Sequence, residues 1–197
     1  MGRTGHLYAC EADGIAPDIL TIAKGLGAGY QPIGAMLCTS QIYNTIAQGT
    51  GFFQHGHTYI GHPVAAAAGL AVVQEILEND LIPQVKARGT YLQQQLEARL
   101  GQHPHVGDIR GRGLFRGVEL VADRGSKTPF DPKYGVAAKV KKAAFAEGLI
   151  CYPMPGARDG RIGDHILLAP PFIASEAELS GLVDMLATAI DKVLAEL

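Results

Sequence analysis

Apolar positions recur along this chain in two rhythms, and the rhythm changes near residue 80. In the first part the apolar runs are short and continuous. Residues 19–23 and 33–39 predict two short buried strands. Between them, Gly25-Leu26-Gly27-Ala28-Gly29 predicts a flexible turn, because glycine adopts backbone angles that other residues avoid. Residues 41–48 predict a short helix, and residues 49–61, crowded with glycine, histidine and aromatic side chains, predict a loop. Pro63 suits the first turn of a helix that the pattern carries to about Asn79. The run Ala65-Ala66-Ala67-Ala68 in that helix permits close backbone packing.

Beyond residue 80 the periods are longer and cleaner. Pro83 to Leu100 reads as a helix with Val85, Leu92, Leu96 and Leu100 on one stripe. Residues 106–121 alternate between apolar and polar, broken by Gly111, Gly113 and Gly117, and predict two strands joined by a glycine turn. Residues 137–147 read as a helix ended by Gly148, and residues 149–152 and 166–169 as short strands. Ser175 and Glu178 make a capping-box pattern. It opens a last helix with Leu179, Leu182, Val183, Leu186, Ile190, Val193 and Leu194 on one face. The expectation is a mixed α/β part over residues 1–82, then a small α+β unit over residues 83–197, with no internal repeat.

Composition narrows the function classes. A chain of 197 residues with 47% hydrophobic and 18% charged residues is expected to fold as a globular protein. A net charge of −2 gives no electrostatic reason to expect nucleic acid or an anionic membrane as a partner. The longest apolar run, residues 63–73, is too short to span a bilayer. Cys10, Cys38 and Cys151 are odd in number and form no CxxC pair, which fits free thiols in a reducing cytoplasm. His55, His57 and His62 lie in a glycine-rich loop without a carboxylate or cysteine beside them, so no metal site is expected there. Arg110 and Arg112 read as solvated or loop-pairing charges, and Gly111, Gly113 and Gly117 as turn geometry.

Lys24 carries the most chemical information. It ends an apolar strand-like run and is followed at once by small residues. An ammonium ion is costly to bury there, whereas a neutral, paired or covalently bound lysine is tolerated. Lysines that form imines with carbonyl groups are placed this way, because desolvation favours the nucleophilic amine. On this pattern alone, a lysine snorkelling from a strand end into solvent is the better account of the residue.

The wider sequence bears on that choice. Asp18-Ile19-Leu20-Thr21-Ile22-Ala23-Lys24-Gly25-Leu26-Gly27-Ala28-Gly29-Tyr30, followed by Gln31-Pro32-Ile33-Gly34-Ala35, resembles the cofactor-lysine segment of the class III pyridoxal-phosphate (PLP)-dependent aminotransferases. Gly2-Arg3-Thr4-Gly5 resembles the segment before it, and His55-Gly56-His57-Thr58-Tyr59-Ile60-Gly61-His62-Pro63 resembles that family's threonine loop. Ile109-Arg110-Gly111-Arg112-Gly113-Leu114 and Leu168-Ala169-Pro170-Pro171-Phe172 resemble its C-terminal domain.

The resemblance implies an α/β fold: the C-terminal portion of a fold-type-I, aspartate-aminotransferase-like large domain, followed by a small α+β C-terminal domain. It implies that Lys24 holds PLP covalently and acts as base and acid. It implies that Thr58 donates its hydroxyl to the cofactor phosphate in the active site of a homodimer partner. Arg158 and Arg161 are the candidates for contacting a substrate carboxylate. The implied activity moves an amino group from an amine or ω-amino acid to a keto acid such as pyruvate, in the cytoplasm. The family's Asp-Glu pair would precede Met1, so the chain is expected to be a truncated C-terminal part. The alternatives are a non-catalytic remnant that pairs with a full-length relative, or another PLP enzyme of the same fold, such as an aminomutase or decarboxylase.

Overall fold

The computed structural model describes all 197 residues and divides into two compact units. The first comprises Met1–Gly2 and His6–Ile82, the second Arg3–Gly5 and Pro83–Leu197.

In the first unit, a 3-10 turn at Ala9–Asp13 precedes β1 (Ile19–Ile22), which pairs antiparallel with β2 (Ala35–Cys38). Ile19 stands opposite Cys38 and Ile22 opposite Ala35. Helices α1 (Ser40–Gln48) and α2 (Pro63–Glu78) follow. Pro63 takes the first helical position, where its missing N–H costs nothing, and Nδ1 of the preceding His62 accepts the Ala65 N–H at 3.5 Å. His62 therefore serves as a helix cap. The two strands lie where the sequence predicts them, but their expected burial does not hold. Every residue of β2 is exposed, and Ile19 of β1 is 56% exposed. The two strands form a ribbon on their own, and the unit supplies no second layer over these apolar side chains.

The second unit closes its own core. Its sheet has the antiparallel order β3-β4-β6-β5, with β3 at Val106–Arg112, β4 at Phe115–Leu120, β5 at Tyr152–Arg158 and β6 at Ile162–Leu168. Helix α3 (Leu81–Leu100), which belongs to this unit from Pro83 onward, packs with α4 (Val136–Ala146) and α5 (Glu176–Leu194) around one hydrophobic cluster. Leu92, Leu96, Leu100, Val118, Leu120, Ile166, Leu186 and Ile190 are all fully buried. Each such side chain contributes on the order of 2 kcal/mol relative to staying in water. Ser175 caps α5 as its sequence predicts: its hydroxyl accepts the Glu178 N–H, and Glu178 accepts the Ser175 N–H at 2.7 Å. Arg110 pairs on the surface with Asp108 and Glu119 at 2.8 and 2.6 Å.

Two sequence expectations are corrected here. The strand expected at residues 149–152 begins at Tyr152 and runs to Arg158, and β6 begins at Ile162 rather than at residue 166. Residues 152–168 thus form a hairpin, and the stretch around Pro153 and Pro155 is not a loop. Both prolines lie on β5, an edge strand of the sheet, where an absent N–H breaks no interior ladder. The glycines of the β3–β4 turn also do more than turn the chain. The Arg3 carbonyl accepts the Leu114 N–H at 2.9 Å, and Arg3 Nη1 donates to the Pro170 carbonyl at 2.7 Å. The Arg3 guanidinium lies 5.0 Å from the Phe172 ring centroid. A Cβ on Gly113, whose φ is +54°, would stand 2.5 Å from the Arg3 carbonyl oxygen. Glycine is required there by both conformation and close approach.

No helix is long and apolar enough to cross a membrane. Cys10, Cys38 and Cys151 are all free thiols, and burial pushes the Cys151 thiol up to about 11.

Candidate functional site

β1 ends at Ile22, and within a few residues the chain folds into a tight, small-residue turn. Ala23 is extended; Lys24 then takes a left-handed φ of +50° and opens a 3-10 turn, Lys24–Leu26. The Ala23 carbonyl accepts the Leu26 N–H at 3.2 Å, and the Lys24 carbonyl accepts the Gly27 N–H at 3.1 Å. Leu26 is buried and anchors the turn. A Cβ on Gly27 would stand 2.2 Å from the Gln31 carbonyl oxygen, so only glycine lets the turn close. Lys24 itself is exposed, with no hydrogen bond or ion pair at its amine. A left-handed backbone at a non-glycine residue costs on the order of 1 kcal/mol, and such strain concentrates where a side chain must be aimed.

Thr58 stands on a separate loop of the same unit. It opens a turn in which the His57 carbonyl accepts the Ile60 N–H at 3.1 Å and the Tyr59 carbonyl accepts the His62 N–H at 3.2 Å. That turn runs directly into the cap of α2. Thr58 is exposed, as is Tyr59, whose ring meets His62 edge-on at 6.1 Å between centroids. His55 packs edge-on against Phe53. No hydrogen bond joins Lys24 to Thr58.

The chemistry of these groups suits two ends of PLP. An unengaged primary amine at a rigid turn fits covalent attachment to an aldehyde. A hydroxyl with free backbone N–H groups in a glycine-rich turn fits a phosphate.

In the second unit, Arg158 ends β5 opposite Ile162, and its carbonyl accepts the Arg161 N–H at 3.1 Å across the hairpin turn. Arg158 is thus the last residue of a strand. Arg161 lines a cavity of about 410 Å³, together with Lys141, Phe130, Pro153, Ile162 and Asp164. Asp164 is only 7% exposed, and its Oδ1 accepts the Ala137 N–H at 3.0 Å. Desolvation is the main cause that raises its carboxyl above the ordinary carboxylate range, opposed by the Ala137 hydrogen bond. Sequence reading missed Asp164. The available signal was α4 itself: the residue before it, Gly135, has no capping side chain, so an orphan N–H had to find an acceptor elsewhere.

Comparison with known proteins adds to these observations. The family model "Aminotransferase class-III" matches residues 1–190. An aminotransferase of Gibberella zeae is 42% identical over 191 residues, covering 96% of this chain and 37% of the relative. The diaminobutyrate–2-oxoglutarate transaminase of Halomonas elongata is 35% identical, covering 98% of this chain and 40% of the relative. Among solved structures, an (S)-enantioselective omega-transaminase of Thermomicrobium roseum superposes with a TM-score of 0.88 at 38% identity, over 98% of this chain and 41% of the neighbour. A transaminase of the marine bacterium Virgibacillus gives 0.93 at 34% identity, over 99% of this chain and 43% of the neighbour. The chain spans about two fifths of the length of the relatives it matches.

Proposed function

Because this chain belongs to the class III aminotransferase family and shares the fold of its fold-type-I members, we propose that it carries the cofactor lysine and the phosphate-binding loop of a PLP-dependent transaminase. The observation that carries this reading is Lys24, an exposed and unengaged amine in a left-handed backbone at a strand end, within the segment that resembles the family's cofactor lysine. In this reading residues 1–82 are part of the cofactor-binding large domain, and residues 83–197 are the small domain.

Lys24 Nζ would hold PLP covalently. When bound, PLP supplies a conjugated ring that accepts the electron pair of the bond broken at the donor carbon. The Lys24 amine would take up a proton at Nζ and deliver it again, serving as anchor, base and acid. Its tight turn fixes where that proton is taken and delivered. Thr58 donates its hydroxyl to the cofactor phosphate. In a homodimer, the Thr58 of one protomer serves the site of the other. The exposed apolar side chains of the first unit, Ile19, Met36 and Leu37 among them, favour assembly with further polypeptide. Arg158 and Arg161 are the candidates to meet a substrate carboxylate. The donor is an amine or ω-amino acid and the acceptor a keto acid such as pyruvate. The omega-transaminase named among the structural neighbours supports that choice.

The test supplies PLP, a primary amine and pyruvate, and follows alanine by chromatography. Wherever alanine forms in a PLP-dependent way, by this chain alone or paired with a full-length relative, we expect Lys24→Ala to abolish it. Equal, measurable PLP-dependent rates from the two proteins would refute the assignment of Lys24.

A further inference from the structure

We propose that Gly69 of helix α2 is a positioning residue for Lys24: the bare helix surface there seats Ile33 and Leu26, which hold the turn that aims the lysine amine. The proposal rests on the assignment of Lys24 to PLP and names what keeps its amine in place. A glycine inside a helix weakens it relative to alanine. Gly69 lies well within α2 and is buried, on the same side as Ala65 and Ile76, and the first unit gives the reason for it.

A Cβ on Gly69 would stand 3.1 Å from Ile33 Cδ1, 3.7 Å from the Leu26 carbonyl oxygen and 3.8 Å from Leu26 Cγ. The Lys24–Leu26 turn therefore lies against α2 at a point where the helix carries no side chain. Ile33 also meets the turn itself, since a Cβ on Gly27 would stand 2.9 Å from Ile33 Cγ2. One isoleucine side chain thus abuts two glycines, one closing the turn and one in the helix. Leu26 is buried, and the Gly27 N–H closes the turn on the Lys24 carbonyl at 3.1 Å. Lys24 has its left-handed φ within that turn. Such a backbone persists only where its surroundings over-determine it, and Ile33, Leu26 and Gly69 are those surroundings. Close-packed atoms pass a displacement on to their neighbours, so added bulk at Gly69 moves the turn. A reacting group displaced by about 1 Å loses much of its reactivity.

The experiment uses the full chain and two readouts. In the first, the protein is treated with PLP and borohydride, and the adduct at Lys24 is measured by peptide mass spectrometry against the exposed Lys139 and Lys142 of α4. In the second, without PLP, hydrogen exchange of the Gly27 amide is followed by NMR. Gly69→Val adds carbons at the seat, and Ile33→Ala removes as many from the side chain that fills it, so the two changes together conserve volume. We expect Gly69→Val to lower the Lys24 adduct by about ten-fold or more and to speed exchange at Gly27 by about ten-fold. Adding Ile33→Ala should bring both back to within about two-fold of the parent. A fault in α2 alone, from the poorer helix propensity of valine, would not be repaired by a change at residue 33. Amide exchange in β4 should stay as in the parent, which reports that the second unit is folded in each variant.

Three results would overturn the proposal: an undiminished Lys24 adduct in Gly69→Val, unchanged exchange at Gly27 in that variant, or losses that Ile33→Ala does not repair. A parent chain that forms its adduct at Lys24 yet shows any of these loses the role of Gly69 alone. A parent chain with no adduct at Lys24 loses the PLP assignment, and exchange at Gly27 then decides by itself whether Gly69 holds the turn.

Discussion

In the second unit, Leu92 and Leu96 of α3, Val118 of β4, Ile166 of β6 and Ile190 of α5 meet in one cluster from which water is excluded. In the first unit, side chains just as apolar stay open: Ile19 on β1, Met36 and Leu37 on β2, and Leu70 and Leu77 on α2. Both halves have the composition of a core, and only one of them completes it. The residues assigned to the cofactor, Lys24 and Thr58, lie in the unit whose apolar faces are still open. The unit that closes its own core holds the cavity around Asp164. The contrast teaches that an apolar pattern states which side chains favour burial, while the polypeptide that buries them must be found in the structure.

Core truncation puts the largest strain on this contrast. Leu92→Ala should destabilise the second unit by about 3 kcal/mol in urea unfolding, because a fully buried leucine leaves a cavity. Leu70→Ala, at a side chain 60% exposed, should stay within about 0.5 kcal/mol. A comparable loss from both would mean that the first unit's face is covered in solution.

A backbone change comes next. Gly113→Ala should cost about 2 kcal/mol, since the new Cβ would meet the Arg3 carbonyl and the φ of +54° is strained for alanine. Loss of the α5 cap in Ser175→Ala should cost about 1 kcal/mol.

The smallest expected effect is a pH dependence. The Asp164 carboxyl is raised in the folded state, so its contribution to stability is full below the ordinary carboxylate value of 3.8 and is lost as pH rises through the folded value. Asp164→Asn keeps an acceptor oxygen for Ala137 and removes this titration. The difference in stability between the two proteins should therefore shift in the variant's favour across that window. A pH-independent difference would contradict the assignment.

The second unit was legible in detail because its helices carry regular stripes and α5 has a capping box, so local pattern and tertiary packing agree. The hairpin β5–β6 was not, because Pro153 and Pro155 argue locally against a strand and only an edge position in the sheet permits them. In the first unit the strands were legible and their exposure was not: burial depends on what covers a face. Lys24 was singled out by its position after an apolar run, while its left-handed backbone emerges only from the folded turn. Arg3 was part of a recognisable segment, but its partners Leu114 and Pro170 lie 111 and 167 residues away, beyond any local rule. Asp164 was hidden for the same reason, since the helix end it satisfies is 27 residues earlier.

The central claim, that the exposed amine of Lys24 is the attachment point for PLP, is tested most directly by borohydride reduction of the PLP-treated protein, followed by proteolysis and peptide mass spectrometry. The account predicts a pyridoxyl-phosphate adduct on the peptide that contains Lys24, at one site per chain and absent from Lys24→Ala. An adduct spread over other surface lysines, with none at Lys24, would contradict it.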